Sequence, residues 1–170
     1  LGVGSANQVL TSDGTDVAWA SVAGGLKGCR VYNNADQVAG TGAVVELTWN
    51  SETFDSDAFH DTSSNTGRIT IPSGEGGKYV FWTNLMVQAR SAGQVAVIMR
   101  VNGADAAWSK WDNPNDGWSI CFWDVMDLSA ADYVQVFIVQ DSGSDVSFYY
   151  HATTNAGQNS PTNFGCIKIF

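Results

Sequence analysis

The sequence predicts an all-β protein with the form of an antiparallel sandwich or barrel. Residues 27–170 contain a series of short runs rich in Val, Ile, Phe, Tyr, Trp and Thr, separated by clusters of Gly, Asn, Asp and Ser. No segment has the period of an amphipathic helix. Closely spaced strands without intervening helices are typical of sandwiches and barrels.

Nine strands are expected in this region. Turn segments such as SGEGGK, VNGAD and QDSGSD mark several of the breaks, because Gly and Asn tolerate the positive φ that tight turns need. The predicted strands cover residues 28–33, 43–54, 68–71, 78–88, 94–101, 118–126, 133–140, 146–153 and 164–170.

Two of the predicted strands are apolar on both faces. In strand 78–88, Tyr79 and Phe81 lie on one face and Trp82 lies on the other, and strand 133–140 has the same pattern. An antiparallel sheet that no helix covers must bury its second face against another sheet or another subunit. The pattern therefore predicts a sandwich that associates with itself.

Length and composition favour one compact domain with a short appendage. We assign residues 1–25 to a neck or linker and residues 26–170 to the globular domain, and we expect the chain, which opens on Leu1, to be a piece of a longer polypeptide. With 17 acidic and 8 basic residues the net charge is −9. Nucleic acid and insertion into a membrane are therefore not expected, because this charge repels phosphate groups and anionic lipid headgroups.

The residues that catalysis or metal binding would need are sparse. Three widely separated cysteines without a CxxC spacing disfavour zinc and are expected to be free, buried thiols. His60 and His151 are expected at the surface or at a subunit interface, and the absence of a GxSxG elbow predicts that the chain is not an enzyme.

Two acidic loops are the remaining candidates for a cation. Calcium is possible at Asp55, Asp57 and Asp61, or at the loop of Asp112 to Asp116, but neither matches a known calcium-loop register. Side-chain capping of turns explains both loops as well. We therefore predict no cofactor and no metal ligands, with calcium as the open alternative.

Three segments together resemble a known superfamily. The segments ITIPSGEGGKYVFWTNLMV (69–87), VMDLSAADYVQVFIV (125–139) and FGCIKIF (164–170) resemble, in order and spacing, three landmark strands of the complement globular-head and tumour necrosis factor-like proteins. The resemblance implies an antiparallel jelly-roll β-sandwich of about ten strands that assembles as a tight homotrimer. The chain departs from the family at Ala131-Asp132, where the family usually has Gly-Asp.

A trimer gives the doubly apolar strands a role. We predict that Tyr79 and Phe81 from one strand, and Tyr133 and Phe137 from the other, lie at the trimer interface.

The opening segment has a different resemblance. NQVLTSDGTDVAWAS (7–21) is similar to a short element of tailed-bacteriophage fibre proteins that joins shaft to knob, and the Gly-X-Y stalk of animal globular heads is absent. The resemblance implies a virion fibre or appendage that faces the extracellular medium.

The segment AAWSKWDNPNDGW is the best candidate recognition surface. Exposed indoles beside amide and carboxylate groups suit a sugar ring, although tryptophans that merely complete the core explain the pattern equally well. The candidate ligand-binding residues here are Trp108, Trp111, Asn113, Asn115, Asp116 and Trp118, with Tyr149 and His151 as a second group.

The sequence as a whole predicts a non-enzymatic fibre tip that trimerises and binds a host-surface glycan or protein. A purely structural capsid or tail decoration and an exported lectin-like module remain alternatives. A polysaccharide depolymerase is disfavoured, because such enzymes usually need a longer solenoid and a carboxylate pair in a cleft.

Overall fold

The structure of the chain is a computed structural model that describes residues 2–3, 5, 8–12, 14–21, 25–89, 92–112, 118–150 and 162–169. Within these ranges the chain forms antiparallel strands and no helix. The described residues therefore contain no helix that is long and apolar enough to span a bilayer. The strands are β1 Gln8–Ser12, β2 Val17–Ser21, β3 Gly28–Tyr32, β4 Gln37–Ala39, β5 Val44–Glu46, β6 Ser51–Asp55, β7 Arg68–Thr70, β8 Gly77–Val87, β9 Gln94–Val101, β10 Ala104–Asp112, β11 Trp118–Leu128, β12 Tyr133–Gln140, β13 Val146–Phe148 and β14 Asn163–Lys168.

Two sheets pack face to face. The five-stranded sheet has the order β10, β9, β12, β5, with β7 also paired to β12. The seven-stranded sheet has the order β4, β13, β8, β14, β3, β6, with β11 also paired to β8. This arrangement confirms the predicted all-β, antiparallel jelly-roll sandwich.

The core between the sheets contains a continuous row of aromatic rings. Successive ring centroids lie 5.9 Å apart from Phe59 to Tyr79, 6.1 Å from Tyr79 to Phe81, 5.8 Å from Phe81 to Phe164 and 5.7 Å from Phe164 to Trp49. The Tyr79 hydroxyl donates to the Glu75 carbonyl, and burial raises the pKa of Tyr79 to about 12. Aromatic pairs at these distances add to the stabilisation that burial alone provides.

The assignment of Tyr79 and Phe81 to a trimer interface is wrong. Both side chains are completely buried within the single chain, where they face the five-stranded sheet. The alternation of side chains along β8 was predicted correctly. However, the face that was predicted to contact other subunits, with Tyr79 and Phe81, is the one that fills the core. The other face, which carries Val80 and Trp82, points away from the sandwich.

The predicted strand 43–54 is two strands in different sheets. β5 pairs with β12 in the five-stranded sheet, and β6 pairs with β3 in the seven-stranded sheet. Between them Leu47 and Trp49 are fully buried and donate backbone hydrogen bonds to the carbonyls of Val136 and Thr66, at 2.9 Å each. The segment therefore crosses from one sheet to the other while it remains apolar.

The segment before residue 26 forms a hairpin of its own. β1 and β2 pair with each other and with no other strand in the described part of the chain. The indole Nε1 of Trp19 donates to the Gly2 carbonyl at 2.6 Å, while Leu10 and Val17 are exposed. These two strands were not predicted, and the domain boundary at residue 25 stays a prediction.

The turn before β12 explains the departure from the superfamily pattern. Ala131 has φ 72°, a left-handed conformation that strains any residue with a Cβ atom. The Asp132 backbone amide donates to the Ser129 carbonyl at 3.1 Å. The Asn102 side chain and the Ser129 amide both donate to the Asp132 carboxylate and lower its pKa. These contacts hold alanine in a conformation that glycine adopts freely.

We expect Ala131→Gly to raise the free energy of unfolding by about 1 kcal/mol, because glycine has no Cβ to strain at positive φ. Ala130→Gly is the matched control, since Ala130 lies in the same turn without a positive φ. There the greater freedom of the unfolded chain should lower the free energy of unfolding by about 0.5 kcal/mol. Urea unfolding followed by tryptophan fluorescence measures both, and a shift in the same direction for both variants would contradict the argument.

Candidate functional site

The outer face of the seven-stranded sheet carries a group of exposed apolar side chains. In register across the sheet, Trp123 lies opposite Trp82, Gly165 lies opposite both Trp82 and Arg30, and Arg30 lies opposite Phe54. A second row places apolar residues of β11 and β14 on either side of β8. We call this surface the aromatic face, and its apolar residues are Phe54, Val80, Trp82, Trp123, Val125 and Ile167.

A glycine lets one indole lie against the sheet. A Cβ atom at Gly165 would fall inside van der Waals contact with the Trp82 ring and 2.7 Å from the Cys29 carbonyl oxygen. Because Gly165 has no side chain, Trp82 packs on the backbone of β14 and is half-buried. Trp123 has no such cover and is 62% exposed. The surface is thus broad and apolar, and it is open to solvent at Trp123.

Arg30 introduces a cation near the middle of the aromatic face. Lys78 and Asp127, at one margin of the face, form an ion pair. By contrast, Arg30 forms no ion pair with any residue that the structure describes. A cation beside large apolar groups is more stable when a carboxylate accepts its hydrogen bonds.

One of the two predicted candidate groups, around Tyr149 and His151, borders this face. The Tyr150 ring stacks on Tyr32 with the centroids 6.0 Å apart and the planes 12° apart. The Tyr149 backbone amide donates to the Met86 carbonyl at 2.8 Å, and the Tyr149 side chain is half-buried. His151 lies outside the described residues.

The outer face of the five-stranded sheet is partly covered by arginine side chains. The guanidinium carbon of Arg68 lies 4.7 Å from the ring centroid of Tyr133, and that of Arg100 lies 4.1 Å from the ring centroid of Phe137. These are favourable cation–π contacts. Tyr133 and Phe137, predicted at the trimer interface, are therefore half-buried beneath side chains of their own chain.

Trp108 and Trp111, the two members of the predicted tryptophan cluster whose side chains the structure describes, do not share one surface. Trp108 lies opposite Ile98 on the outer face of the five-stranded sheet and is 67% exposed. Trp111, three residues later, lies opposite the buried Val95 and packs edge-on against Phe122, with the centroids 6.1 Å apart. Trp111 thus closes the flank of the sandwich between β10 and β11. The backbone of Trp118 belongs to β11, while Asn113, Asn115 and Asp116 lie outside the described residues.

This geometry predicts opposite roles for two tryptophans in one strand. We expect Trp111→Ala to lower the free energy of unfolding by about 2 kcal/mol, because the change removes packing against Phe122 and the core. Trp108→Ala is expected to change it by less than about 0.5 kcal/mol, since its ring is mostly in solvent. Denaturant titration measures the free energy of unfolding of both variants. Equal losses of stability in the two variants would contradict the assigned roles.

The acidic loop that was a calcium candidate uses its carboxylates elsewhere. Asp55 accepts hydrogen bonds from the backbone amides of Phe59 and His60, at 3.0 and 2.9 Å. Asp57 pairs with Lys27 at 2.6 Å, and this hydrogen bond lowers the pKa of Asp57. In the described part of the chain no three Asp, Glu, His or Cys side chains lie close enough to share a metal ion.

His60 is buried, which corrects its predicted place at the surface or an interface. Its ring Nδ1 lies 3.1 Å from a Glu52 carboxylate oxygen, and its Nε2 lies 3.2 Å from the Thr66 carbonyl oxygen. Both ring nitrogens therefore face acceptors, and the ring fixes the loop that joins β6 to β7. The side chain is fully buried, and its contacts with Glu52 and Thr66 give it a structural role in the loop.

The expectation of three buried thiols holds for two of them. Cys29 and Cys166 are opposite each other on β3 and β14 and are fully buried, whereas Cys121 is exposed on the same side of the sheet as Trp123. The hydrogen-bonding contact with Cys166, together with burial, raises the pKa of the Cys29 thiol. Cys29 is therefore poorly reactive, because the thiolate is the reactive form, while Cys166 is shielded by its complete burial.

Comparison with known proteins bears on the fold. No family model and no curated protein sequence matches the chain. Among solved structures, murine APRIL at pH 5.0 matches with a TM-score of 0.58 and 13% identity, over 85% of this chain and all of that chain. The tumour necrosis factor protein Eiger from S. frugiperda matches with a TM-score of 0.56 and 10% identity, over 85% of this chain and 93% of that chain.

The class that these observations define is a tumour necrosis factor-like jelly roll. The fold inferred from the three sequence segments is confirmed, because the similarity covers most of this chain and nearly all of each matched chain. At 10 to 13% identity the similarity concerns the fold alone.

Proposed function

We propose that the chain is a homotrimeric, non-enzymatic binding module that forms the tip of a virion fibre and attaches it to a host-surface receptor. The observation that carries this proposal is the aromatic face. A sheet face with an indole 62% exposed, next to further apolar side chains, is typical of an interaction surface. Residues of this kind dominate the energetics of protein interfaces.

A second copy of the chain is the occupant that the charges favour. Arg30 needs an acidic partner, and this chain, with 17 acidic and 8 basic residues, is rich in such partners. β11 pairs only with β8 among the described strands, so its other edge is open, and it carries Asp124 on the side of the strand opposite to Trp123 and Val125. In the proposed trimer the β11 edge of one copy packs on the aromatic face of the next. Repeated head to tail, this contact closes into a ring.

The hairpin of β1 and β2 supports a place at the end of a fibre. It pairs with neither sheet in the described structure and exposes the apolar side chains of Leu10 and Val17. A small hairpin of this kind is marginally stable alone and gains order from neighbouring chains. Together with the resemblance of residues 7–21 to fibre elements, this supports a neck in which three hairpins pack together.

Trp108 stays accessible in this assembly. It lies on the outer face of the five-stranded sheet, on the side of the sandwich away from the aromatic face. An exposed indole at that position is available to a receptor after the trimer has formed. Trimerisation and receptor binding thus use different sheets.

We expect Trp123→Gln to weaken the trimer by on the order of 2 kcal/mol per contact, about 30-fold in affinity, because it removes a large apolar anchor. Trp108→Gln is the matched control, since Trp108 is 67% exposed on the other sheet and Trp123 is 62% exposed. Light scattering across a dilution series should give three chains per particle for the unaltered protein and for Trp108→Gln. A folded monomer of the unaltered chain at every concentration would refute the proposal.

The exposed thiol on the same side of the sheet offers an independent footprint. Cys121 is two residues from Trp123, so trimerisation should slow its alkylation by about tenfold or more relative to the Trp123→Gln variant. Cys29 and Cys166 serve as an internal control, because both should react only after unfolding. Mass spectrometry of the alkylated peptides measures all three rates. Equal rates for Cys121 in the two proteins would place the interface elsewhere.

A further inference from the structure

A polar cleft lies on the flank of the sandwich opposite β10 and β11. Two adjoining hollows of about 510 and 330 Å³ open there, and both are lined by Asn65 and Arg68. Each volume falls within the range of small-molecule sites. The first hollow is also lined by Glu52, Ala58, Phe59, His60, Asp61 and Thr70, and the second by Glu46, Thr48, Tyr133 and Gln135.

The wall of the cleft is held in place by internal hydrogen bonds. Asp55 fixes the start of the β6–β7 loop through two backbone amides, and the buried His60 ring bridges Glu52 and Thr66. The Asp61 carboxylate accepts from the Ser63 hydroxyl and amide at 2.7 and 2.8 Å. These contacts preorganise the cleft, so ligand binding would not lose free energy to the ordering of the loop.

Arg68 supplies hydrogen-bond donors that no described residue of the chain uses. Lys27, Lys78, Arg100 and Lys168 each pair with a carboxylate. The Arg68 guanidinium instead lies over the Tyr133 ring and forms no ion pair or side-chain hydrogen bond with the described residues. The ring contact orients the guanidinium while leaving its N–H groups available.

Three carboxylates in the cleft each have one oxygen already engaged. Glu46 Oε1 accepts from the Gln135 amide at 2.6 Å, Glu52 Oε1 faces the His60 ring at 3.1 Å, and Asp61 Oδ1 accepts from Ser63. The second oxygen of each carboxylate forms no hydrogen bond within the described structure. The cleft therefore presents fixed acceptors on either side of the Arg68 donors.

We infer that this cleft binds a neutral oligosaccharide, an inference that rests on the proposed role in host attachment and names the ligand class. Hydroxyl groups both donate and accept, so neighbouring hydroxyls of a sugar can bond a carboxylate oxygen and a guanidinium N–H together. A negatively charged ligand is disfavoured, because three carboxylates surround a single guanidinium. The two hollows give room for more than one ring, with Arg68 at the junction.

The test starts with the unaltered trimer on an array of neutral and acidic glycans, followed by titration calorimetry with the strongest neutral ligand. Arg68→Gln should lower the affinity at least tenfold. Asn65→Gly should lower it several-fold and leave the backbone unstrained, because Asn65 has φ 54° and glycine adopts that angle freely. Arg100→Gln is the matched control, since Arg100 also covers an aromatic ring on the same sheet but lines neither hollow. It should change the affinity less than twofold.

The binding results test the saccharide site in the cleft independently of whether the chain forms a trimer. Retained affinity in Arg68→Gln, loss of affinity in Trp108→Ala alone, or no binding of any neutral glycan at about 1 mM would overturn the cleft as a saccharide site. Light scattering of every variant keeps the two questions apart. A trimer that binds no neutral glycan leaves the proposed assembly intact, whereas a monomer that binds through Arg68 supports the cleft and refutes the assembly.

Discussion

The apolar character of both faces of strand β8 is the constraint on which the rest of the structure depends. Its inward side chains, Tyr79 and Phe81 among them, build the aromatic row of the core. Its outward residues, including Trp82, lie at the centre of the aromatic face. Since the described chain has no helix to cover that face, burying the core leaves a second apolar surface. The core of the chain and its aromatic face are two sides of the same strand.

Basic residues are few in this chain, and those without a carboxylate partner include one on the aromatic face and one in the polar cleft. Of the seven basic residues that the structure describes, four are neutralised by carboxylates of the same chain. Arg30 and Arg68 are not, and they lie on two surfaces that the structure leaves open: the aromatic face and the polar cleft. In a molecule with net charge −9, an arginine that forms no ion pair with a described residue can donate to an acceptor on another molecule.

Local pattern predicted much of the fold. The strands 94–101 and 133–140 were predicted with the bounds that the structure has, because period-two alternation and flanking turn residues both specify them. Strand β10 was missed, since Ala and Ser dilute its pattern and its two tryptophans lie on opposite faces. The alternation in β8 identified which residues share a face. It contained no information on which face looks inward, because both are apolar.

The candidate sites depended on long-range geometry and were harder to predict. The cleft joins a loop after β6 to residues of β5, β7 and β12, which no sequence spacing connects. His60 stands in a loop of Asp, Ser and Asn and was predicted at the surface or an interface, so only the structure shows that its buried ring holds the loop against the chain. Trp108 and Trp111 are three residues apart, and an odd interval in a strand places two side chains on opposite faces. This distinction could not be made from the sequence, because strand β10 had not been predicted.

The place of β14 in the seven-stranded sheet has a consequence for how the protein folds. β14 lies between β3 and β8, and it follows β3 by most of the length of the sequence and β8 by nearly half of it. As a growing chain leaves the ribosome, β3 and β8 emerge long before the strand that joins them, so neither can complete its ladder. Strand pairs this distant in sequence must first lose the conformational entropy of a long closed loop before their hydrogen bonds and packing form. This requirement makes folding slow. The sheet that bears the aromatic face is therefore completed late, only after β14 has been inserted between β3 and β8.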